Sequence, residues 1–237
     1  MAVIHHTVLE PTKLELLAHW LPSRPWYRGN SDEMKLAKAG GFRLDDPKGE
    51  VGIEFMVVTD TSGLQPTSYL VPLTYRGAPL EGAEDALVGT MEHGVLGRRW
   101  AYDGCHDPVA VTQLLALIEG SVQAQDQNIS DTLDRELVVH SCTAEDPVSQ
   151  DPASQDLVSE NPVSEGPNAT VSDDDAGTEL SWQSGRTLRL HRILRPVTDG
   201  PSSPTHEANG SVTGPWQLPD GTRAHGPFAV LHHEHRP

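Results

Sequence analysis

Cysteine is scarce in this chain, positive charge is missing over a long stretch, and no apolar run is long. The two cysteines, Cys105 and Cys142, cannot make a disulfide framework, which fits a reducing compartment. Between Arg135 and Arg186 there is no Lys or Arg, while acidic residues accumulate up to Asp173-Asp174-Asp175. Most of the net charge of −17 therefore belongs to a tail or linker, and such a chain would repel nucleic-acid phosphates and anionic membranes. The opening Met-Ala-Val-Ile-His-His lacks a basic region followed by an apolar core. No apolar run approaches the ~18 residues of a membrane helix. The expectation is a cytoplasmic protein with neither nucleic acid nor membrane as partner.

Reaction signatures are missing as well. There is no G-x-S-x-G elbow, no H-E-x-x-H, no Walker loop and no G-x-G-x-x-G. The H-x-D order of a phosphotransferase catalytic loop does not occur. Asp45-Asp46 and Glu84-Asp85 fall in expected loops, where solvated carboxylates keep ordinary acidity. His232-His233-Glu234-His235 and His5-His6 lie at the two ends, without the supporting contacts a metal site needs. Cys105, His106, His140 and Cys142 are zinc-type ligands without the usual C-x₂₋₄-C spacing. No catalytic residue, metal or cofactor is expected.

What the sequence does contain is sheet pattern. Apolar content is 36 %, against a usual ~45–50 %, and 21 Gly with 19 Pro make the chain rich in loops. Val51, Ile53, Phe55 and Val57 alternate with Gly52, Glu54, Met56 and Val58. After the break Asp60-Thr61-Ser62-Gly63, Tyr69, Val71, Leu73 and Tyr75 resume the period of two. This predicts two antiparallel strands, with Ile53, Phe55, Val57, Tyr69, Val71 and Leu73 on one face that needs a cover. Pro72 donates no ladder hydrogen bond and predicts an edge strand or a bulge.

Further strands are expected over Ala2–Val8, Lys35–Leu44 and Gly94–Asp103, with a loop from Gly77 to Gly89. Thr12-Lys-Leu-Glu15 has the form of a capping box ahead of a Leu14, Leu17, Leu21 stripe. Asp107-Pro108 starts a second helix, with Val111, Leu114, Leu115 and Ile118 buried and Gly120 at its end. Residues 143–178, with near-repeats such as Asp146-Pro-Val-Ser149 and Asn161-Pro-Val-Ser164, read as disordered. Thr187–Leu194 predicts a strand, and Pro219-Asp-Gly221 turns a hairpin between Asn209–Leu218 and Arg223–Leu231. A lone hairpin is marginal in water, so it is expected to dock and extend the sheet.

Two aromatic clusters are the candidate binding residues. Arg24, Trp26, Tyr27 and Arg28 form one loop, and Arg98, Arg99, Trp100 and Tyr102 line a strand. Stacked rings and guanidinium groups suit a sugar face or a protein partner. Core packing is the favoured reading for Trp20, Trp100 and Tyr102, while Trp26 fits either role. Arg24, Trp26, Tyr27, Arg28 and Arg98 are the binding candidates.

The same residues carry a family resemblance. Trp20-Leu-Pro-Ser-Arg-Pro-Trp-Tyr-Arg-Gly29, Tyr69-Leu-Val-Pro-Leu-Thr-Tyr-Arg76, and Gly97-Arg-Arg-Trp-Ala-Tyr-Asp-Gly104 with Asp107-Pro108 resemble segments of the N-terminal cap domain of actinobacterial maltokinases. They come in the same order at comparable spacing. The resemblance implies an α+β fold: a curved antiparallel sheet with one or two packed helices, likened to cystatins. In the enzymes the cap sits on a kinase that makes maltose 1-phosphate, and it holds no catalytic residue. Here the residues after Gly120 do not resemble kinase lobes, so the chain looks like a stand-alone cap-like protein. Residues 1–122 are then the cap-like domain, 123–178 an acidic disordered linker, and 179–237 a docking β segment. The implied role is a non-catalytic interaction or regulatory protein whose partner is an enzyme of trehalose, maltose or α-glucan metabolism. The alternative is a small carbohydrate-binding module built on the loop around Trp26.

Overall fold

Thr12 starts the first helix as its capping box predicts. Its hydroxyl accepts the Glu15 amide at 3.3 Å, and the Glu15 carboxylate accepts the Thr12 amide at 2.7 Å. Helix α1 runs over Lys13–Trp20, buries Leu16, Leu17 and Trp20, and gives way at Pro22 to a single tight turn, Leu21–Ser23. Thr12→Ala is expected to cost about 1 kcal/mol, read as a lower urea midpoint at unchanged slope. The computed structural model describes residues 9–30, 33–141, 169–197 and 208–233. The strand expected over Ala2–Val8 lies outside them.

The first sheet is antiparallel throughout and curls into a half-barrel. Its strands are β1 (Leu9–Glu10), β2 (Leu36–Leu44), β3 (Gly52–Asp60), β4 (Thr67–Arg76), β5 (Leu87–His93), β6 (Gly97–Asp103) and β7 (Gln125–Asp126). They pair in the order β1-β5-β6-β4-β3-β2-β7. Strand β5 replaces the end of the loop expected over Gly77–Gly89. A register shift between Leu87 and Gly89 puts Val88 and Met91 inside, three residues apart, so no period of two survives to be read. A second shift falls between Lys38 and Gly40; Gly40 and Gly41 that follow are both at positive φ, and a Cβ on Gly41 would stand 2.1 Å from the Phe55 carbonyl oxygen.

The pairing register corrects the assignment of faces. Phe55 lies opposite Pro72 and Val57 opposite Leu70, so Tyr69, Val71 and Leu73 share the other face with Met56 and Val58. Both faces of β3 and β4 are buried, each in its own cluster. Pro72 is also neither on an edge strand nor at a bulge. Strand β6 pairs β4 only from Leu73 to Arg76, and β12 (Ile193–Leu194) pairs it only at Tyr69 and Ser68. The proline sits in the gap between these two partners, on the side from which the Leu70 amide bonds the Arg192 carbonyl at 3.0 Å.

Helix α2 (Pro108–Ile118) is capped by Asp107, whose carboxylate accepts the Val109 amide at 3.0 Å. Beyond it the chain forms a second antiparallel sheet from β8 (Val138–Ser141), β9 (Thr170–Asp173), β10 (Gly177–Ser181), β11 (Arg186–His191), β13 (Gly210–Gln217) and β14 (Arg223–His233). Their order is β8-β13-β14-β11-β10-β9. The C-terminal strands share a core cluster with the first sheet. Among the described residues of the C-terminal segment only β12 adds to the first sheet; the hairpin β13–β14 builds the second one. Face-to-face stacking wins because β11, β13 and β14 each carry an apolar face that an added strand would leave in water.

Phe42, Phe55 and Val57 of the first sheet meet Leu190, Trp216 and Phe228 of the second, with α2 filling one end. Phe42 stacks on Phe55 at 4.5 Å and on Phe228 at 6.2 Å, which fastens one sheet to the other. The linker expected over 123–178 is thus ordered at both ends, as β7 and β8 before and β9 after; its middle, 142–168, lies outside the described residues.

Candidate functional site

The loop after α1 brings Arg24, Trp26, Tyr27 and Arg28 together, but not around an open platform. Trp26 is 0 % exposed. It packs at 5.8 Å from Trp20 and 5.9 Å from Tyr69, with the Arg192 guanidinium 5.1 Å from its ring centre. Trp26 therefore belongs to the core, and a sugar-binding role for its indole is corrected: the ring offers no face to a ligand. Arg24 lies over Trp20 at 4.8 Å and bonds Ser23 Oγ. The Tyr27 hydroxyl donates to Asp60 at 2.7 Å, and burial followed by that carboxylate pushes the phenol's pKa well up. Arg28 is exposed and donates to the carbonyls of Pro25 and Asp175, at 2.8 and 2.6 Å. Arg98 stands elsewhere, exposed on β6 and 5.3 Å over the Trp100 ring.

The three sequence segments that carry the family resemblance converge in the fold. Trp20 and Trp26 of the first touch each other, and Trp26 touches Tyr69 of the second. Arg76 of the second holds Asp107 of the third through two bonds of 2.6 and 2.7 Å, with Asp107 fully buried. Asp103, also from the third, meets Arg192 from the C-terminal part. Arg192 donates to both Asp103 oxygens at 2.8 and 2.6 Å and to Thr178 at 2.7 Å, while its Nη1 has no partner. Burial pushes the Asp103 carboxyl pKa up, but the guanidinium outweighs it and the net shift is down. These residues hold the molecule together; apart from Arg76, whose side chain is 20 % exposed, all are buried.

Several buried charges escaped the sequence reading; Asp46, expected to be a solvated carboxylate of ordinary acidity, is 6 % exposed, and the Lys48, Val51 and Glu50 amides it accepts outweigh burial and lower its pKa. Arg192 stands at an apolar-phase position in Leu188-x-Leu190-x-Arg192-x-Leu194, a signal in plain view. Glu54, 4 % exposed in mid-β3, accepts Lys13 at 2.5 Å, Tyr75 at 2.8 Å and Gln127 at 3.0 Å. Burial opposes its charge, yet Lys13 and the hydroxyl keep its pKa below the ordinary value. Tyr75, in return, is pushed well up by burial and by Glu54.

For reaction chemistry the buried Cys105 is poorly suited, since burial raises its thiol pKa well above normal. Among the described residues no group of three His, Cys, Asp or Glu is placed to hold a metal ion, and no helix is long and apolar enough to cross a membrane. Cys142, Glu234, His235, His5 and His6 lie outside those residues. Open features among the described residues include a cleft of about 460 Å³ bordered by His106, Pro108 and Val171, a cleft of about 330 Å³ where the two sheets meet, and the tip of the β5–β6 hairpin.

At that tip His93 Nδ1 accepts the amides of Val95 and Leu96 at 3.2 and 3.1 Å, fixing the turn. Val95 and Leu96 point out, 62 % and 45 % exposed. The tip, the Trp26 loop, strand β4 and Asp107 all fall within one recognised segment: residues 20–107 match the family model described as the maltokinase N-terminal cap domain. From Trp20 to Asp107 the chain carries a maltokinase N-terminal cap-like domain.

Proposed function

We propose that this is a non-catalytic interaction protein whose cap-like domain contacts an enzyme acting on maltose, trehalose or a related α-glucan. The family match supplies the metabolic context. The observation that carries the contact is the hairpin tip, where Val95 and Leu96 are held outward by the His93 cap beside an arginine already laid on Trp100. A preorganised aliphatic pair with a fixed guanidinium loses little side-chain entropy on docking. It fits an apolar patch rimmed by carboxylates. The strand of Pro72, expected at an edge or a bulge, is flanked by β3, β6 and β12 and offers no free edge.

The full chain, immobilised and exposed to extract of the cell that makes it, is expected to retain an enzyme of this sugar chemistry. Leu96→Asp, an exposed change that leaves the core intact, should weaken retention about thirtyfold. Retention of unrelated proteins alone, or an unchanged affinity of the variant, would overturn the assignment.

A further inference from the structure

The turn at the β5–β6 tip is capped by a single atom. His93 pairs with Gly97 across the hairpin, Gly94, Val95 and Leu96 make the turn, and Gly97 closes it at φ 68°. Within that turn the imidazole Nδ1 accepts two amide hydrogens, from Val95 at 3.2 Å and from Leu96 at 3.1 Å. A backbone N–H only donates, so Nδ1 must present its lone pair and the ring proton must sit on Nε2. The cap therefore requires the neutral ring, and one of its two tautomers.

A proton taken up by this ring goes onto that lone pair. Nδ1–H would then face two N–H groups, and both bonds would be lost together. Histidine is the side chain whose ordinary charge change falls between about pH 5 and 8. Because the cap needs the neutral form, it is complete above the ~6.5 at which a free imidazole charges, and it is lost as pH falls below that range. The ladder from Leu87 to Gly97 keeps the hairpin closed in either state. What protonation releases is the outward setting of Val95 and Leu96.

Leu9 of β1 and Gly97 of β6 stand opposite His93 and share its face, as does Arg99, which stands opposite Met91. By register, then, the charged residue on the ring's own face is a cation. Glu10, Glu92 and Arg98 form the next row, on the reverse face. Helix α1, which reaches β5 at Gly89, carries Lys13, Glu15 and His19. These are engaged with Glu54, Thr12 and the Glu15 carbonyl. His5 and His6, ahead of β1, lie outside the described residues.

We propose that His93 is an acid-sensitive latch on the docking tip: the neutral ring holds Val95 and Leu96 outward for a protein partner, and its protonation lets the pair go and weakens docking. This rests on the reading of the tip as the partner contact. The latch itself is a property of the free chain, so it is measured without any partner and the two assignments fail separately.

The test compares the parent full chain with His93→Asn, whose side-chain carbonyl accepts amides of the same turn and does not titrate. Solvent exchange of the Val95 and Leu96 amides is read by ¹⁵N NMR and divided by the random-coil rate at each pH. From about pH 7.5 to about pH 5 it is expected to quicken about tenfold in the parent and to stay level in the variant. Retention of the extract enzyme by the immobilised chain should weaken about tenfold over the same interval, in the parent alone. The proposal is overturned if the parent amides keep their protection in acid, if the two chains respond alike, or if an enzyme is retained and its retention falls no more in the parent than in the variant. Amides that respond in a chain retaining nothing at either pH would sink the docking assignment and leave the latch supported.

Discussion

Arg192→Ala is expected to lower the free energy of unfolding by about 3–5 kcal/mol, because it strands the Asp103 carboxylate in the interior. Asp103 is 2 % exposed, and apart from Arg192 its carboxylate takes the Cys105 amide at 3.1 Å. The sign of the pH dependence should invert. In the parent the Asp103 pKa is depressed on folding. Its contribution is present above the unfolded value of ~3.9 and is lost as pH falls through the lower folded value. Without Arg192, burial, the largest contribution, is opposed only by the Cys105 amide and His106 and raises the folded pKa, so the variant should lose least stability at about pH 4 and most near pH 7. The paired change Arg192→Met with Asp103→Leu removes both charges and should lie within about 1–2 kcal/mol of the parent. Urea unfolding at the two pH values decides it. A single variant as stable as the parent at neutral pH would mean the pair is not desolvated in solution.

Trp26→Ala should cost about 3–5 kcal/mol, by leaving a cavity bordered by Trp20, Tyr69 and the Arg192 guanidinium. The neighbouring Arg24→Ala removes only a half-exposed guanidinium from the face of Trp20, worth about 0.5–1 kcal/mol. The contrast separates core from platform. If Trp26 were a ligand-binding surface, its loss would spare the unfolding midpoint and abolish binding instead. Chemical denaturation of the two variants side by side, with near-ultraviolet circular dichroism for the packing of the rings, gives the answer.

Short-range features could be read from sequence because their causes lie within a few residues. The Thr12–Glu15 box and the Asp107-Pro108 start are such cases, as is the turn at Pro219-Asp-Gly221. Features fixed by distant partners could not. The loop between β3 and β4 sets which alternate residues of β4 face α1, and a slip of one position exchanges the faces of Tyr69 and Leu70. Strand β5 lost its period to a bulge. The second sheet joins Val138–Ser141 to Gly210–Thr213 across a wide separation, and nothing local announces that pairing. At the site, Trp26 was ambiguous because its flanking arginines look like surface, while the group that lies over its ring, Arg192, comes from the far end of the sequence. The cleft between the sheets was invisible for the same reason: its walls come from three distant segments.

The missing amide hydrogen of Pro72 has one more consequence. Strand β4 serves two claimants along the same side, β6 toward Arg76 and β12 toward Ser68. An ordinary residue between them would carry a donor there, and either claimant could lengthen at the other's expense. The proline ring makes that stretch useless to both and so apportions the strand. Asp103 ends one claim and Arg192 immediately precedes the other, so the ion pair that ties the late segment to the early one forms across neutral ground that a single imino acid keeps vacant.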